Sequence, residues 1–524
     1  METWRELWNP TAIFAVSGTI GVAASAWPAA RRWIAPWCLL ALWLALWSWP
    51  HASLDDLSRG TMTVSLVWAA LLLTLRSSSR FESSSPLELP LQFVLLAGLC
   101  LMAQARDVVT LFLGLQLISS GTRVLASPER ERERLAFDGR SPLPWLLLLG
   151  FVLLAAVTGS TRIDTISEAL RTSYVHQDSA SFRIAGGGSR VLTISAVLVG
   201  SALAGYAVCV PFHFPFWPTR HSSEQSGGRE IEIHPLQLLL PRAAVVIVWA
   251  KLWPATIIAA ESTAQLFVGV LALITSIVPL VQARIERNLV RQWWLLVVAQ
   301  GGWLLLAVAA WSFKNQVPEE DVGRRIVEWN LPSPIQGAWL LLLMDGVAWI
   351  GLLGVLTYLR RRERPVDFVD DLRGLLHSEP IAAISACICL LSMSGLPLLA
   401  GFWSRLFIAL QAINVRGEWG PPQVLVPQEG LLVLTAILAL SAVWSASIAM
   451  RSVWTMLFGL PLGQPRPTGS VSSLFSAVLA SIVLIGCGVL PGPLLSWLCS
   501  PRVEQHSRPE FSIAPATAHE GAMR

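Results

Sequence analysis

The sequence predicts an all-α polytopic membrane protein of about 14 transmembrane helices, with broken helices at spans 7 and 12. Three observations carry this. The 524 residues are 54% hydrophobic and only 14% charged, with a mean hydropathy of +0.57, far from the average of soluble domains. Apolar runs long enough to cross a bilayer recur along the whole length. Two of those runs are interrupted by proline and glycine, at Val208 to Pro215 and at Gly395 to Gly401.

Reading the apolar runs against turn and charge signals places the spans near 11–27, 33–50, 61–75, 88–105, 107–126, 143–160, 190–216, 235–257, 264–282, 291–312, 335–359, 379–413, 429–450 and 472–498. No cleavage-type site follows the first apolar run, so the first span is expected to be retained. Loops after odd-numbered spans carry clusters such as Arg130/Arg132/Arg134/Arg140 and Arg360/Arg361/Arg362/Arg364, whereas Asp55/Asp56 and Glu319/Glu320/Asp321 follow even-numbered ones. That bias puts both termini outside the cytoplasm. The 161–190 loop contains Gly186-Gly187-Gly188 and many serines, and is expected to be mobile. The tail from Pro501 to Arg524 shows no apolar face and is expected to be disordered.

Composition also excludes functions. A net charge of +4 gives no footprint for nucleic acid. The seven cysteines lie in or beside apolar runs without zinc spacing, and read as small core residues rather than a metal site. Positive charge is nearly all arginine, with lysine only at Lys251 and Lys314.

The interruption in the twelfth run is built by Gly395, Pro397 and Gly401. Pro397 removes a backbone donor and blocks the helical bond behind it. Such a break is tolerated in a membrane only where protein or trapped water satisfies the freed groups. Pro211 interrupts the seventh run in the same way. The two breaks lie five spans apart, and an odd number of spans per repeat inverts the second copy relative to the first. Paired breaks in two halves point to an ion path, although prolines also kink membrane helices with no such meaning.

Several polar residues fall inside the spans. Arg405 follows the second break among Phe402, Trp403, Leu406 and Phe407, where a cation is costly and suggests a function. Asp345 lies near the middle of the eleventh span and is the one carboxylate deep in any run. It should be neutral or paired there, and Arg405 is the expected partner. If they pair, the arrangement is a structural ion pair; if not, Asp345 can load and release protons. His213 follows the first break, where it serves either as a relay or as a partner for the broken backbone. Gln116 in the fifth span is either an interhelical hydrogen-bonding group or part of a polar path. Arg242 follows Pro241 in the eighth span and is expected to face the interior. Lys251, nine positions on, lies on the opposite azimuth between Trp249 and Trp253, and is expected to snorkel to the interface.

Taken together, four segments resemble a known family. Asp107 to Ser119 (DVVTLFLGLQLIS) resembles the "D-L-L-T-L-F-L-G-L-E-L" helix of the antiporter-like membrane subunits of respiratory complex I. Val210 to Trp217 (VPFHFPFW) resembles their "V-P-F-H-x-W" break, and Pro241-Arg242 resembles their "P-K". Asp370 to Leu375 followed by Ser394 to Phe402 resembles "D-L-x-G-L … G-x-P-x-x-A-G-F". The ordered set, over roughly 88–460, is most similar to the N-type subunit of NADH–quinone oxidoreductase.

The resemblance implies a fold of two inverted five-helix repeats. The expected division is 1–87 for N-terminal helices, 88–258 and 262–452 for the repeats, 453–500 for a C-terminal helix and 501–524 for the tail. It implies proton movement driven by quinone reduction elsewhere in an assembly of membrane subunits, in a bacterial inner membrane. NADH, FMN, Fe–S clusters and quinone would belong to partner subunits, with no cofactor in this chain. The family's glutamate falls at Gln116, and its lysines at Tyr206, Arg242 and Arg405. A buried lysine can lose its proton and arginine cannot, so a non-pumping structural paralogue is the alternative. A subunit of a multi-component cation/proton antiporter or membrane hydrogenase is another.

Overall fold

A computed structural model describes residues 10–27, 30, 33–48, 56–76, 87–126, 142–175, 188–210, 234–260, 262–314, 334–359, 366–414, 428–460 and 470–492. Among these residues the elements are helical and there is no strand, only two isolated bridges. In order they are α1 (Pro10–Ser25), α2 (Ile34–Ser48), α3 (Asp56–Arg76), α4 (Glu88–Gln104), α5 (Val108–Ala126), α6 (Leu143–Thr158), α7 (Ile163–Val175), α8 (Gly188–Tyr206), α9 (Leu236–Ala260), α10 (Ser262–Ile285), α11 (Leu289–Ala299), α12 (Gly301–Lys314), α13 (Pro334–Leu359), α14 (Pro380–Ser394), α15 (Ala400–Asn414), α16 (Gln428–Phe458) and α17 (Val471–Val489). Among the described residues, seven stretches are long and apolar enough to cross a membrane, and seven shorter apolar helices accompany them.

Helices that are apolar all round belong in the middle of a bundle, whereas those with one packed stripe belong at its rim. The run Leu289–Ala310 is buried on every side and Ile335–Leu359 on nearly every side. By contrast, α16 and α17 expose Leu440, Val443, Ile482 and Val489. The central α13 packs against α3, α14, α15 and α17. Its contact with α3 interlocks two tryptophans with two glycines. Trp339 of α13 sits over Gly60 of α3, and Trp68 of α3 sits over Gly346 of α13. Both indoles are fully or almost fully buried, because a glycine facing each leaves room that a Cβ would fill.

The breaks depart from the sequence reading in instructive ways. The twelfth run divides into α14 and α15 as expected. Gly395 takes a left-handed conformation (φ +82°) and its N–H is satisfied at Ser392 O, 3.0 Å away. The seventh span was expected to continue to 216, but α8 stops at Tyr206. Val208 adopts φ +59° and Cys209 N–H returns to Ala204 O, so the turn starts ahead of the proline. Pro211 and His213 lie outside the described residues, as does the tail 501–524. The tenth span, expected to be unbroken, is divided between α11 and α12 at Gln300, whose N–H is shared by the Val297 and Val298 carbonyls. The thirteenth extends to Phe458, because the exposed Arg451 does not end the helix. The fourteenth stops at Val489, two residues before Pro491, as the conformational restriction ahead of a proline favours. In the 161–190 loop, Ile163–Val175 form the helix α7, packed on α9, and residues 176–187, with Gly186 and Gly187, lie outside the described residues.

Candidate functional site

Three charged side chains are buried among the described residues: Arg242, Asp345 and Arg405, at 3%, 5% and 4% exposure. They lie on α9, α13 and α15, and the contacts that hold them run through the broken helices.

Arg242 has its three guanidinium nitrogens on backbone carbonyls. Nε donates to Ala207 O (3.0 Å), Nη1 to Val297 O (2.7 Å) and Nη2 to Val298 O (3.0 Å). The first acceptor lies in the turn after α8, and the other two lie where α11 gives way to α12. These are positions where carbonyls lack a regular helical donor. A cation at the C-terminal end of a helix is further favoured by the backbone dipoles. The absence of a side chain at Gly301 matters here, since a Cβ would stand 3.3 Å from Arg242 Nη2 and 3.1 Å from Thr275 Cγ2.

Arg405 occupies the second break. Nη1 donates to Gly401 O (2.8 Å) and more weakly to Ser392 O (3.4 Å), and Nη2 donates to Met393 O. Nε and Nη2 also converge on Gln300 Oε1, at 3.1 and 2.8 Å. Gln300 Nε2 in turn donates to Leu296 O (3.3 Å). Asp345 Oδ1 stands 3.6 Å from Arg405 Nη2 without a hydrogen-bond partner of its own among the described residues. The carboxylate and guanidinium are therefore an ion pair by distance, while the guanidinium's hydrogen bonds go elsewhere.

At the other end, Gln116 Nε2 donates to Tyr206 Oη at 2.7 Å. Tyr206 is 1% exposed and is the last residue of α8, adjacent to the Ala207 carbonyl that receives Arg242. A line of polar contacts thus runs from the Ala207 carbonyl through Arg242, the Val297 and Val298 carbonyls and the Gln300 N–H and carboxamide to Arg405 and Asp345, with the Gln116–Tyr206 pair one residue along the chain from its start. Sequence reasoning brought Gln116, Tyr206, Arg242, Arg405 and Asp345 forward but did not find Gln300, which joins the two arginine centres. Its signal was present, a glutamine followed by Gly301 and Gly302 inside an apolar run.

Lys251 is set apart from this line. Its Nζ donates to Ala105 O, the residue that closes α4, beside the Asp107–Arg162 bridge. It is half-buried, and its neighbour Trp249 is 2% exposed, so that tryptophan packs in the bundle and does not mark an interface. Leu398 in the second break shares with Val208 in the first a positive φ, of +75° and +59°, the two non-glycine cases among the described residues. Left-handed backbone is costly for such side chains, most of all for a β-branched one.

The likeness to known proteins is broad. Residues 329–421, which include Asp345, both halves of the second break and Arg405, match the transmembrane family model described as NADH:quinone oxidoreductase/Mrp antiporter. The NADH-quinone oxidoreductase subunit N of Paramagnetospirillum magneticum is 24% identical over 406 residues, covering 76% of this chain and 74% of the relative. That of Desulfitobacterium hafniense is 24% identical over 459 residues, covering 84% of each. Among solved structures, a chain of respiratory complex I from Thermus thermophilus superposes with a TM-score of 0.66 at 20% identity, covering 93% of this chain and 99% of that one. A chain of the Mrp complex from Dietzia gives 0.64 at 16% identity, covering 95% and 96%. Along most of its length the chain is thus similar to NADH-quinone oxidoreductase N subunits, and it shares its fold with chains of complex I and the Mrp complex.

Proposed function

We infer that this chain is a membrane subunit of an NADH–quinone oxidoreductase-type assembly and takes part in proton translocation coupled to quinone reduction. The redox chemistry, with NADH, FMN, Fe–S clusters and quinone, belongs to partner subunits in this reading. The observation that carries it is the run of buried polar contacts from the Ala207 carbonyl through Arg242, the Val297 and Val298 carbonyls and Gln300 to Arg405 and Asp345. Buried charge within a membrane bundle is expensive and persists where it serves transport.

The reading includes two inverted five-helix repeats, 88–258 and 262–452, within about 14 spans. Two small features support that division. The bridge Asp107↔Arg162 ties the start of α5 to the segment after α6, and Asn288↔Phe368 ties the start of α11 to the segment after α13. In each, the first helical N–H donates across the bridge, Val108 to Thr161 O (3.0 Å) and Leu289 to Asp367 O (2.7 Å). The two bridges stand five spans apart, as the two breaks do.

In this reading Asp345 is the proton carrier. Its ion contact with Arg405 is loose, so the carboxylate can gain a proton without disturbing the guanidinium, whose hydrogen bonds are made to Gln300 and the backbone. Arg242 and Arg405 act as fixed charges that tune it. Asp345→Asn in the assembled complex should lower the protons moved per electron while the amount of complex stays the same. Unchanged stoichiometry would remove Asp345 as carrier.

A second reading, a non-pumping structural paralogue, is favoured by one observation: both guanidiniums donate to backbone carbonyls at helix breaks, as staples would. It predicts that replacing Arg242 and Arg405 together alters assembly and leaves proton stoichiometry intact. A stoichiometry change without loss of assembly argues against it.

A further inference from the structure

Far from the Asp345 site, the first two helices leave a gap beside the turn that joins them. Near its end α1 carries the small residues Gly21 and Ala24, and α2 has Pro36 in its first turn, where proline's missing N–H is tolerated. A cavity of about 320 Å³ opens between the two helices. Gly21 and Ala24 of α1, Ile34 and Leu40 of α2, and Ala30 and Trp33 at the turn line it, and no charged side chain does.

The cavity opens sideways. Gly21 and Ile34 are buried at its back, whereas Ile20 and Leu40, on the walls, are both 46% exposed. From Trp33 to Leu40 it runs about 10 Å along α2. Its volume lies at the small end of the range for ligand pockets. At the turn, Trp27 and Trp33 are 70% and 63% exposed, as aromatic side chains at a membrane–water boundary are. One end of the cavity therefore lies at headgroup level and the other reaches towards the hydrocarbon, and an acyl chain is the matching occupant.

An acyl chain gains little by leaving the bilayer for this cavity, because lipid tails are as apolar as the side chains that line it. Preference for one lipid over another must come from the headgroup. Arg31 and Arg32 lie outside the described residues, but the chain itself bonds them to Ala30 and Trp33, two residues of the lining. Guanidinium groups pair with phosphate through two parallel hydrogen bonds. Glu88, at the start of α4, stands at the same end of the bundle, since Pro90 of α4 packs on Gly21. Counting Glu88 against the two arginines still leaves one positive charge, which at a membrane surface gives about a five-fold preference for an anionic lipid. We propose that the cavity between α1 and α2 binds one anionic phospholipid, with an acyl chain along Gly21 and Ile34 and the phosphate at the Arg31–Arg32 pair. Its occupancy is independent of Asp345.

The test uses the assembled complex in nanodiscs that contain, at equal low fraction, a phosphatidylglycerol or a phosphatidylcholine with the same diazirine-bearing acyl chain. After illumination, mass spectrometry of peptides measures the label on residues 20–40 and on the exposed stretch of α16 around Leu440 and Val443. Phosphatidylglycerol should label residues 20–40 about five-fold more than phosphatidylcholine does, and the two should label α16 equally. Equal labelling of 20–40 by both probes means ordinary bilayer lipid only and overturns the site. Label on α16 with none on 20–40 means that a partner subunit covers the cavity, and also overturns it. Arg31→Gln together with Arg32→Gln should bring phosphatidylglycerol down to the phosphatidylcholine level, and a preference that survives overturns the phosphate contact. Ala24→Phe, which fills the cavity, should bring the label down to that on α16, and unchanged labelling overturns the cavity as the chain's seat. Should either variant fail to assemble, the two probes on the unaltered complex decide the matter.

Discussion

Arg242→Lys is the substitution that most directly separates a stapling role from a titrating one. The guanidinium makes three hydrogen bonds to carbonyls at 3.0, 2.7 and 3.0 Å, joining the turn after α8 to the α11–α12 junction. A lysine ammonium is a single point on a flexible stem, so it reaches one of these acceptors and leaves two. Hydrogen bonds to charged groups in soluble proteins contribute about 1.5–3 kcal/mol each, which puts the loss near 3–6 kcal/mol. Interhelical bonds in membrane bundles average about 0.6 kcal/mol, which puts it near 1.2. Gln300 N–H is shared between the Val297 and Val298 carbonyls, so neither is wholly stranded. The Ala207 carbonyl lies in a turn with no regular helical donor, which weighs towards the larger value. The expected destabilisation is about 3 kcal/mol, between the two limits. Detergent-driven unfolding in mixed micelles measures it, read through a fluorescence signal that 25 tryptophans make strong. A variant within about 0.5 kcal/mol of the parent, the scatter of neutral surface changes, would refute the staple.

Further substitutions probe the second centre. Gln300→Leu removes the acceptor of Arg405 Nε and Nη2 and should cost about 1–3 kcal/mol in the same unfolding measurement, whereas Gln300→Glu keeps an acceptor and should retain the fold. Gly395→Ala places a Cβ 2.6 Å from Arg405 Nη1 at a φ of +82°. It should destabilise by about 1–3 kcal/mol and lower proton stoichiometry by moving Arg405, both read on the purified complex. Tyr206→Phe removes the Gln116 contact alone and should cost no more than about 1 kcal/mol in unfolding.

How far the site was legible follows from what each residue type advertises. Asp345, Arg242 and Arg405 stood out because a charge in an apolar run has no inexpensive explanation. Gly395, Pro397 and Gly401 stood out because they cannot continue a helix. Gln300 did not, since a neutral amide in a membrane helix is common and its importance comes from a neighbour 105 positions away. The buried hydroxyls of Ser445 and Ser452 were invisible for a similar reason. Serine is an ordinary small residue in such helices, and only burial without a partner separates Ser445 and Ser452 from Ser394, which donates back to Leu390 O at 2.7 Å. Lys251 was expected to be interfacial from its flanking tryptophans. Its actual partner, the Ala105 carbonyl, lies on a helix whose position the sequence does not encode locally.

By itself the sequence determined that this chain is a many-pass helical membrane protein, where its second break falls, and which charges are buried. Those properties follow from transfer free energy and backbone chemistry, which act residue by residue along the chain. Tertiary structure alone decided that the arginines bind carbonyls of other helices and that Gln300 links the two centres. These depend on which helix faces meet, and that is fixed by packing between segments far apart in the chain.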